Sequence, residues 1–154
     1  MTGQHTKVVK SHPVENLGSI NIVIPTFNPN RKTLNRVISR AIEVAPCDFD
    51  IGLIVVDNCS DPPITLDEII GCGAPIKLIR EPRPGTAFAR ITGLRAVDKA
   101  IVLYLDDDNL VTGNYINDGV EFLTRNPEVG AVGGKIIPLF EIDPPPFLNG
   151  NDPL

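Results

Sequence analysis

The chain has 154 residues, 42% of them hydrophobic, enough for one domain with a packed core. Fourteen Lys and Arg against nineteen Asp and Glu leave a net charge of −5, which argues against a basic surface that captures nucleic acid. No stretch approaches the roughly 18 apolar residues of a membrane span, and Met1 to Ser19 lacks the apolar segment of a secretory signal, so a soluble, cytoplasmic chain is expected.

In chain order, residues 1–18 read as a loose polar arm. Ile20 to Pro25 is a short apolar strand. Asn30 to Val44 is a helix, because Leu34, Val37, Ile38, Ala41 and Ile42 recur at helical spacing. Ile51 to Val56 is a second apolar strand, Leu66 to Ile70 a helical turn, and Ile76 to Ile79 a third strand. Thr86 to Val97 is helical, with Ala87, Arg90, Leu94 and Val97 marking its turns. Ile101 to Leu105 is a buried fourth strand, and Thr112 to Arg125 a helix with Ile116, Val120 and Leu123 on one face. Val129 to Ile137 is a fifth strand interrupted by glycines. Apolar strands alternating with amphipathic helices predict an α/β fold: a Rossmann-like, mostly parallel sheet with helices on both faces. The domain runs over 19–138, and a proline-rich tail over 139–154 follows, in which Pro144-Pro145-Pro146 bars regular structure.

Cys47, Cys59 and Cys72 form no CxxC pair, so a structural zinc site is not expected, and they read as small semi-buried residues in a reducing compartment. His5 and His12 lie in the arm, away from any nucleophile pattern. There is no GxxxxGK[ST] loop and no GxGxxG after the first strand, which excludes a P-loop and a dinucleotide fingerprint. A nucleotidyltransferase lacks its glycine-rich loop, since Asn28-Pro29-Asn30 holds no glycine.

In a parallel sheet the strand C-termini share one edge, where ligands bind. Four polar loops converge there: 25–30, 57–61, 81–86 and 106–109. The last carries three consecutive acids, Asp106-Asp107-Asp108. Adjacent like charges disfavour full ionisation, and a hard divalent cation such as Mg²⁺ or Mn²⁺ relieves that with oxygen ligands. One of these acids can instead cap the next helix while the others face solvent. Asp57 can accept from a base N–H or a ribose hydroxyl, or cap a turn. Phe27 can stack on a flat ring or plug the core. Arg83 and Arg90, either side of Gly85, can meet a phosphate or form a solvated pair.

Ile22-Val23-Ile24-Pro25-Thr26-Phe27-Asn28, Val55-Val56-Asp57-Asn58-Cys59-Ser60-Asp61, Gly85-Thr86-Ala87-Phe88-Ala89-Arg90 and Leu105-Asp106-Asp107-Asp108-Asn109 are four ordered segments. In order and spacing they resemble the N-terminal part of family 2 glycosyltransferases, which have the GT-A fold. The resemblance covers roughly residues 20–138. It implies a nucleotide-sugar donor, usually UDP-linked, and an acceptor of unknown kind, in cell-wall or polysaccharide synthesis. Pro25, Thr26 and Phe27 would line the base pocket. Asp57 and Asn58 would bind the base. Arg90 would lie near the base or diphosphate. The acidic run would be the family's DxD motif, with Asp108 and Asp106 at the metal (Mn²⁺ or Mg²⁺) and Asp106 or Asp107 at the ribose. The general base that activates the acceptor, commonly in a Glu-Asp pair, has no counterpart: the last acids are Glu141, Asp143 and Asp152. The chain therefore reads as a donor-binding half of a GT-A fold, apparently truncated, whose full-length relatives often attach to the inner membrane face. A non-catalytic nucleotide- or partner-binding domain is the alternative. A truncated sheet would expose apolar surface and favour self-association.

Overall fold

A computed structural model of the chain describes residues 18–70, 73–140 and 142–143. The expected arm up to residue 17, most of the proline-rich tail, His5, His12 and Cys72 lie outside the described residues. Four strands, β1 (Ser19–Thr26), β2 (Asp50–Asp57), β3 (Ile76–Arg80) and β4 (Ile101–Tyr104), form one parallel sheet in the order β3-β2-β1-β4. Three helices, α1 (Arg31–Glu43), α2 (Thr86–Arg95) and α3 (Tyr115–Arg125), and a 3-10 turn at Leu66–Glu68 complete the elements.

The central strands β1 and β2 carry continuous apolar runs, over 22–24 and 53–56, because both of their faces are covered. Ile20, Ile22 and Ile24 of β1 and Leu53 and Val55 of β2 pack on one face with Leu34, Val37, Ile38 and Ala41 of α1 and Ile116 and Val120 of α3. Val23, Ile54 and Val56 point to the other face, where they meet Ala89 of α2. The predicted α/β sheet with helices on both faces is thus present. α2 approaches closely because Gly93 has no side chain: a Cβ there would stand 2.3 Å from Val23 Cγ1.

Local signals set the helix ends. Asn30 caps α1, its Oδ1 accepting from Lys32 N at 3.0 Å and Thr33 N at 3.2 Å. Asn35 ties α1 to the 3-10 turn, donating to the Glu68 carbonyl and accepting from Ile70 N. Asn21, buried inside β1, accepts from the Asp98 and Lys99 amides and so fixes the turn that enters β4.

Several expectations are corrected. Val129 to Ile137 forms no strand. Gly130, Gly133 and Gly134 offer no side chains to a sheet face and raise the entropic cost of an extended backbone, so Ile136 and Ile137 stay exposed. β4 is an edge among the described strands rather than a buried strand: Tyr104 is exposed and Ile101, Val102 and Leu103 are half-buried. The helix expected from Thr112 starts at Tyr115, and that expected to reach Val97 stops at Arg95. Cys47 is exposed rather than semi-buried, whereas Cys59 is half-buried as expected; both are free thiols. No helix among the described residues is long and apolar enough to cross a membrane.

Candidate functional site

The strand order places a topological switch point between β1 and β4. The chain steps from β1 to β2 to β3 on one side, then returns to lay β4 on the other. At such a point the loops after the two strands leave in opposite directions, and open α/β sheets bind ligands in the crevice outside the strand C-termini there. Thr26 ends β1, and Asp106, Asp107 and Asp108 follow β4. The Thr26 hydroxyl donates to the Asp107 carboxylate, closing the crevice floor from strand to strand.

Beside this floor the ends of β1, β2 and β3 stand in register, with Thr26 opposite Asp57 and Asp57 opposite Arg80. Pro25 and Thr26 are buried, whereas Phe27 is 61% exposed and so does not plug the core. After it the backbone turns through Asn28, whose φ of 46° lies in the left-handed region that asparagine tolerates. Asn28 laces the first two loops together: its N–H donates to Ser60 Oγ at 2.9 Å, and its Oδ1 accepts from Asp61 N at 2.8 Å.

Asp57 is buried, and its carboxylate is used within the chain. One oxygen accepts from Ser60 N at 3.0 Å; the other accepts from Ile64 N at 3.2 Å and from the Arg80 guanidinium. Burial pushes its pKa up, but the Ser60 hydroxyl, the Ser60 and Ile64 amides and Arg80 together outweigh burial and hold it below the ordinary carboxylate value. Asp57 therefore organises the loop over 57–64. Asn58 does the same for the next loop: its Nδ2 donates to the carbonyls of Glu81 at 3.1 Å and Arg83 at 2.6 Å, and its Oδ1 accepts from Gly85 N at 2.8 Å.

The third loop contains a residue that the sequence pattern did not single out. Glu81 directly follows β3 and is 3% exposed. It accepts from Arg83 N, Nε and Nη2 and from the Thr92 hydroxyl. The Arg83 guanidinium, with Thr92 in support, holds the Glu81 carboxyl well below the usual carboxylate range. The signal available was position: Arg80-Glu81 stands at its strand end as Asp57 does at the end of β2. Arg83 and Arg90 do not form a solvated pair, since Arg83 binds Glu81 and Arg90 binds Asp106.

The fourth loop carries the acids. Arg90 Nη2, from α2, donates to Asp106 Oδ1 at 3.0 Å, and Asn109 Nδ2 donates to the other Asp106 oxygen at 3.3 Å. Asp107 takes the Thr26 hydroxyl. Asp108 is exposed and makes no hydrogen bond or ion pair among the described residues. The structure thus gives the three acids three different surroundings, and none of them caps α3, whose N-cap residue is Asn114.

These surroundings suit a hard cation. Among the described residues no group of three or more His, Cys, Asp or Glu side chains forms a ready-made metal cage. Mg²⁺ seldom uses such a cage; it is held by one or two carboxylates, with water and substrate phosphate completing the shell. An open Asp108 and a half-exposed Asp106, both oxygen donors, match that pattern.

Of the residues singled out in the sequence, Thr26, Asp106, Asp107 and Arg90 are linked directly at the crevice. Asp57 and Asn58 lie beside it with their polar side-chain atoms engaged by the protein itself.

The sequence profile of glycosyl transferase family 2 matches residues 21–143. Over 127 residues the chain is 30% identical to the pre-mycofactocin glycosyltransferase of Mycobacterium tuberculosis, which covers 82% of this chain and 25% of that protein. Over 122 residues it is 26% identical to the putative polypeptide N-acetylgalactosaminyltransferase 10 of Drosophila melanogaster, covering 75% of this chain and 19% of that one. The chain therefore spans about a quarter or less of the length of these relatives. The fold is similar to that of S. aureus TarS residues 1–349 (TM-score 0.61, 18% identity, 79% of this chain and 38% of that one). It is also similar to the same protein in complex with UDP-GlcNAc (TM-score 0.57, 17% identity, 79% and 37%). A parallel sheet with an acidic loop at its switch point and a family match over most of the chain lead to one conclusion: the chain belongs to glycosyl transferase family 2.

Proposed function

We propose that this domain binds a nucleotide-sugar donor, UDP-linked, with Mg²⁺ or Mn²⁺, for transfer of the sugar to an acceptor. The observation that carries the reading is the switch-point crevice, where Thr26 and Arg90 hold Asp107 and Asp106 while Asp108 stands open. The binding of UDP-GlcNAc by the structurally similar TarS supports the same donor class.

In this reading Pro25, Thr26 and Phe27 line the base side of the crevice. Asp57 and Asn58 shape the two loops that frame it. Asp108 and Asp106 would hold the cation, which would supply Lewis-acid neutralisation of the departing diphosphate. Arg90 orients Asp106 through its Nη2 hydrogen bond and lies on the side of the acidic loop where the diphosphate would sit. Asp107, held by Thr26, would accept from a ribose hydroxyl. No residue of the chain is assigned as the base that deprotonates the acceptor.

A crystal of the chain soaked with UDP and Mn²⁺ tests this arrangement. The expected density is a metal held by Asp108 and Asp106 in the presence of UDP, with uracil beside Phe27. Nucleotide bound elsewhere, or metal bound without any of the three acids, would refute it.

A further inference from the structure

The loop between β3 and α2 fixes one side chain, Arg83, to which the proposed function gives no role. It is held at three points. Its Nε and Nη2 donate to the two oxygens of Glu81 at 2.8 and 2.7 Å. Its carbonyl accepts from Asn58 Nδ2 at 2.6 Å. Its guanidinium carbon lies 4.5 Å from the centroid of the Phe88 ring, so one face is covered by an aromatic plane. Yet the side chain remains 52% exposed, and Nη1 makes no hydrogen bond among the described residues. Ordering a long exposed arginine costs side-chain entropy. Here Glu81, itself buried, and Phe88 maintain that order, and the result is a flat group held in place beside Asn58, in the loop after the C-terminal end of β3.

Two ligand parts could meet such a group: a phosphate or a flat ring. The bidentate carboxylate of Glu81 decides between them. It balances the guanidinium charge at contact distance, so a diphosphate would face an anion as well as a cation. Phe88 takes one planar face; the opposite face is not compensated in this way, and guanidinium planes stack well on aromatic rings and on nucleobases. We propose that Arg83 is a stacking plate for the nucleobase of the donor, with Glu81 and Asn58 as the positioning residues that hold it there. The inference deepens the donor-binding reading and rests on it.

The test is calorimetric titration of the chain with UDP and Mn²⁺ at several salt concentrations, for the wild type, R83A, R83K, E81Q and the E81Q/R83A pair. Loss of a base-stacking partner weakens UDP binding about tenfold in R83A. The slope of log Kd against log salt stays that of the wild type, because no phosphate contact is lost. R83K, which keeps the charge and loses the plane, does not restore affinity. E81Q weakens binding severalfold alone and adds nothing in the R83A background, a coupling that a merely structural role for Glu81 would not produce. R83A binding as tightly as the wild type overturns the inference, as does a flattened salt slope in R83A that R83K repairs. If R83A does not fold, R83K alone decides: wild-type affinity overturns the inference and a tenfold loss supports it. A wild-type chain that binds no nucleotide with metal overturns the donor-binding reading itself, which separates the two failures.

Discussion

Asn58 offers a sharp test of how the site is built, because chemical similarity and the structure predict opposite results for its replacement by aspartate. Its amide makes three hydrogen bonds, two donated to the carbonyls of Glu81 and Arg83 and one accepted from Gly85 N. At about 1 kcal/mol net each, Asn58→Ala would cost about 3 kcal/mol; water can reach the partly buried Arg83 and Gly85 partners, which reduces the expected loss to about 2 kcal/mol. Asn58→Asp keeps the shape and can still accept from Gly85 N. It cannot donate, and it sets a carboxylate against two carbonyl oxygens. Asn58→Asp is therefore expected to destabilise at least as much as Asn58→Ala. Urea denaturation followed by circular dichroism at pH 7 measures both, with the m-value as the check on two-state behaviour. An Asn58→Asp variant as stable as the wild type, or an Asn58→Ala loss below about 0.5 kcal/mol, would refute the role of this side chain as the brace of the loop over 81–85.

Three further outcomes are expected. Gly93→Ala places a methyl 2.3 Å from Val23 Cγ1 and 3.3 Å from Val56 Cγ2, so α2 must lift from the sheet; thermal or urea melting should show a loss of about 1–3 kcal/mol, and an unchanged midpoint would contradict the close packing. Asp57 has its pKa lowered in the folded chain below its ordinary 3.8, so its contribution is complete above the unfolded value and is lost as pH falls through the folded one. Glu81 acts in the same direction from an ordinary 4.5. Stability measured by urea titration between pH 6 and 2 should therefore decline below about pH 4, and the decline should be shallower in Asp57→Asn; identical pH slopes would rule out a stabilising role for the ionised carboxylate. Arg90→Ala removes the partner of Asp106 and weakens metal-dependent UDP binding about tenfold while leaving the melting midpoint almost unchanged, since the pair is half-exposed; an equal affinity would exclude Arg90 from the site.

The fold was legible in the sequence to the extent that hydrophobic pattern determines it. Ile22 to Ile24 and Leu53 to Val56 are continuous apolar runs because both faces of those strands are buried, and a short run of that kind rich in β-branched residues suits little besides a central parallel strand. The helix over Arg31–Glu43 is equally plain, since Asn30 caps it and Leu34, Val37, Ile38 and Ala41 bury one stripe. Val129 to Ile137 misleads for a physical reason: its apolar residues resemble a strand, but Gly130, Gly133 and Gly134 weaken the extended backbone, and pairing also depends on a partner edge that the local sequence does not reveal.

The candidate site was legible at its acids and less so around them. Asp106 to Asp108 follow an apolar run, and a triple carboxylate stands out by charge alone. The different surroundings of the three are not visible in the sequence, because Thr26 and Arg90 reach them from 81 and 16 residues away. Asp57 and Asn58 stand out as polar residues after a strand, which is correct as to place. Whether their side chains face a ligand or their own loops depends on the Ser60, Ile64, Arg80 and Glu81 backbone and side chains, and no spacing rule encodes that. Glu81 escapes notice because a glutamate followed by proline looks like a surface turn, whereas its carboxylate is buried against Arg83 and Thr92.

Whether the acidic loop at the switch point binds a nucleoside diphosphate through a divalent cation can be decided by a single calorimetric comparison. UDP is titrated into the wild-type chain and into Asp108→Ala, each with Mn²⁺ and with a chelator. Binding is expected in the wild type with Mn²⁺ and not with the chelator, and Asp108→Ala should gain nothing from Mn²⁺. UDP binding that is equally tight with the chelator, or a full Mn²⁺ dependence retained without Asp108, would contradict a metal-bridged donor site.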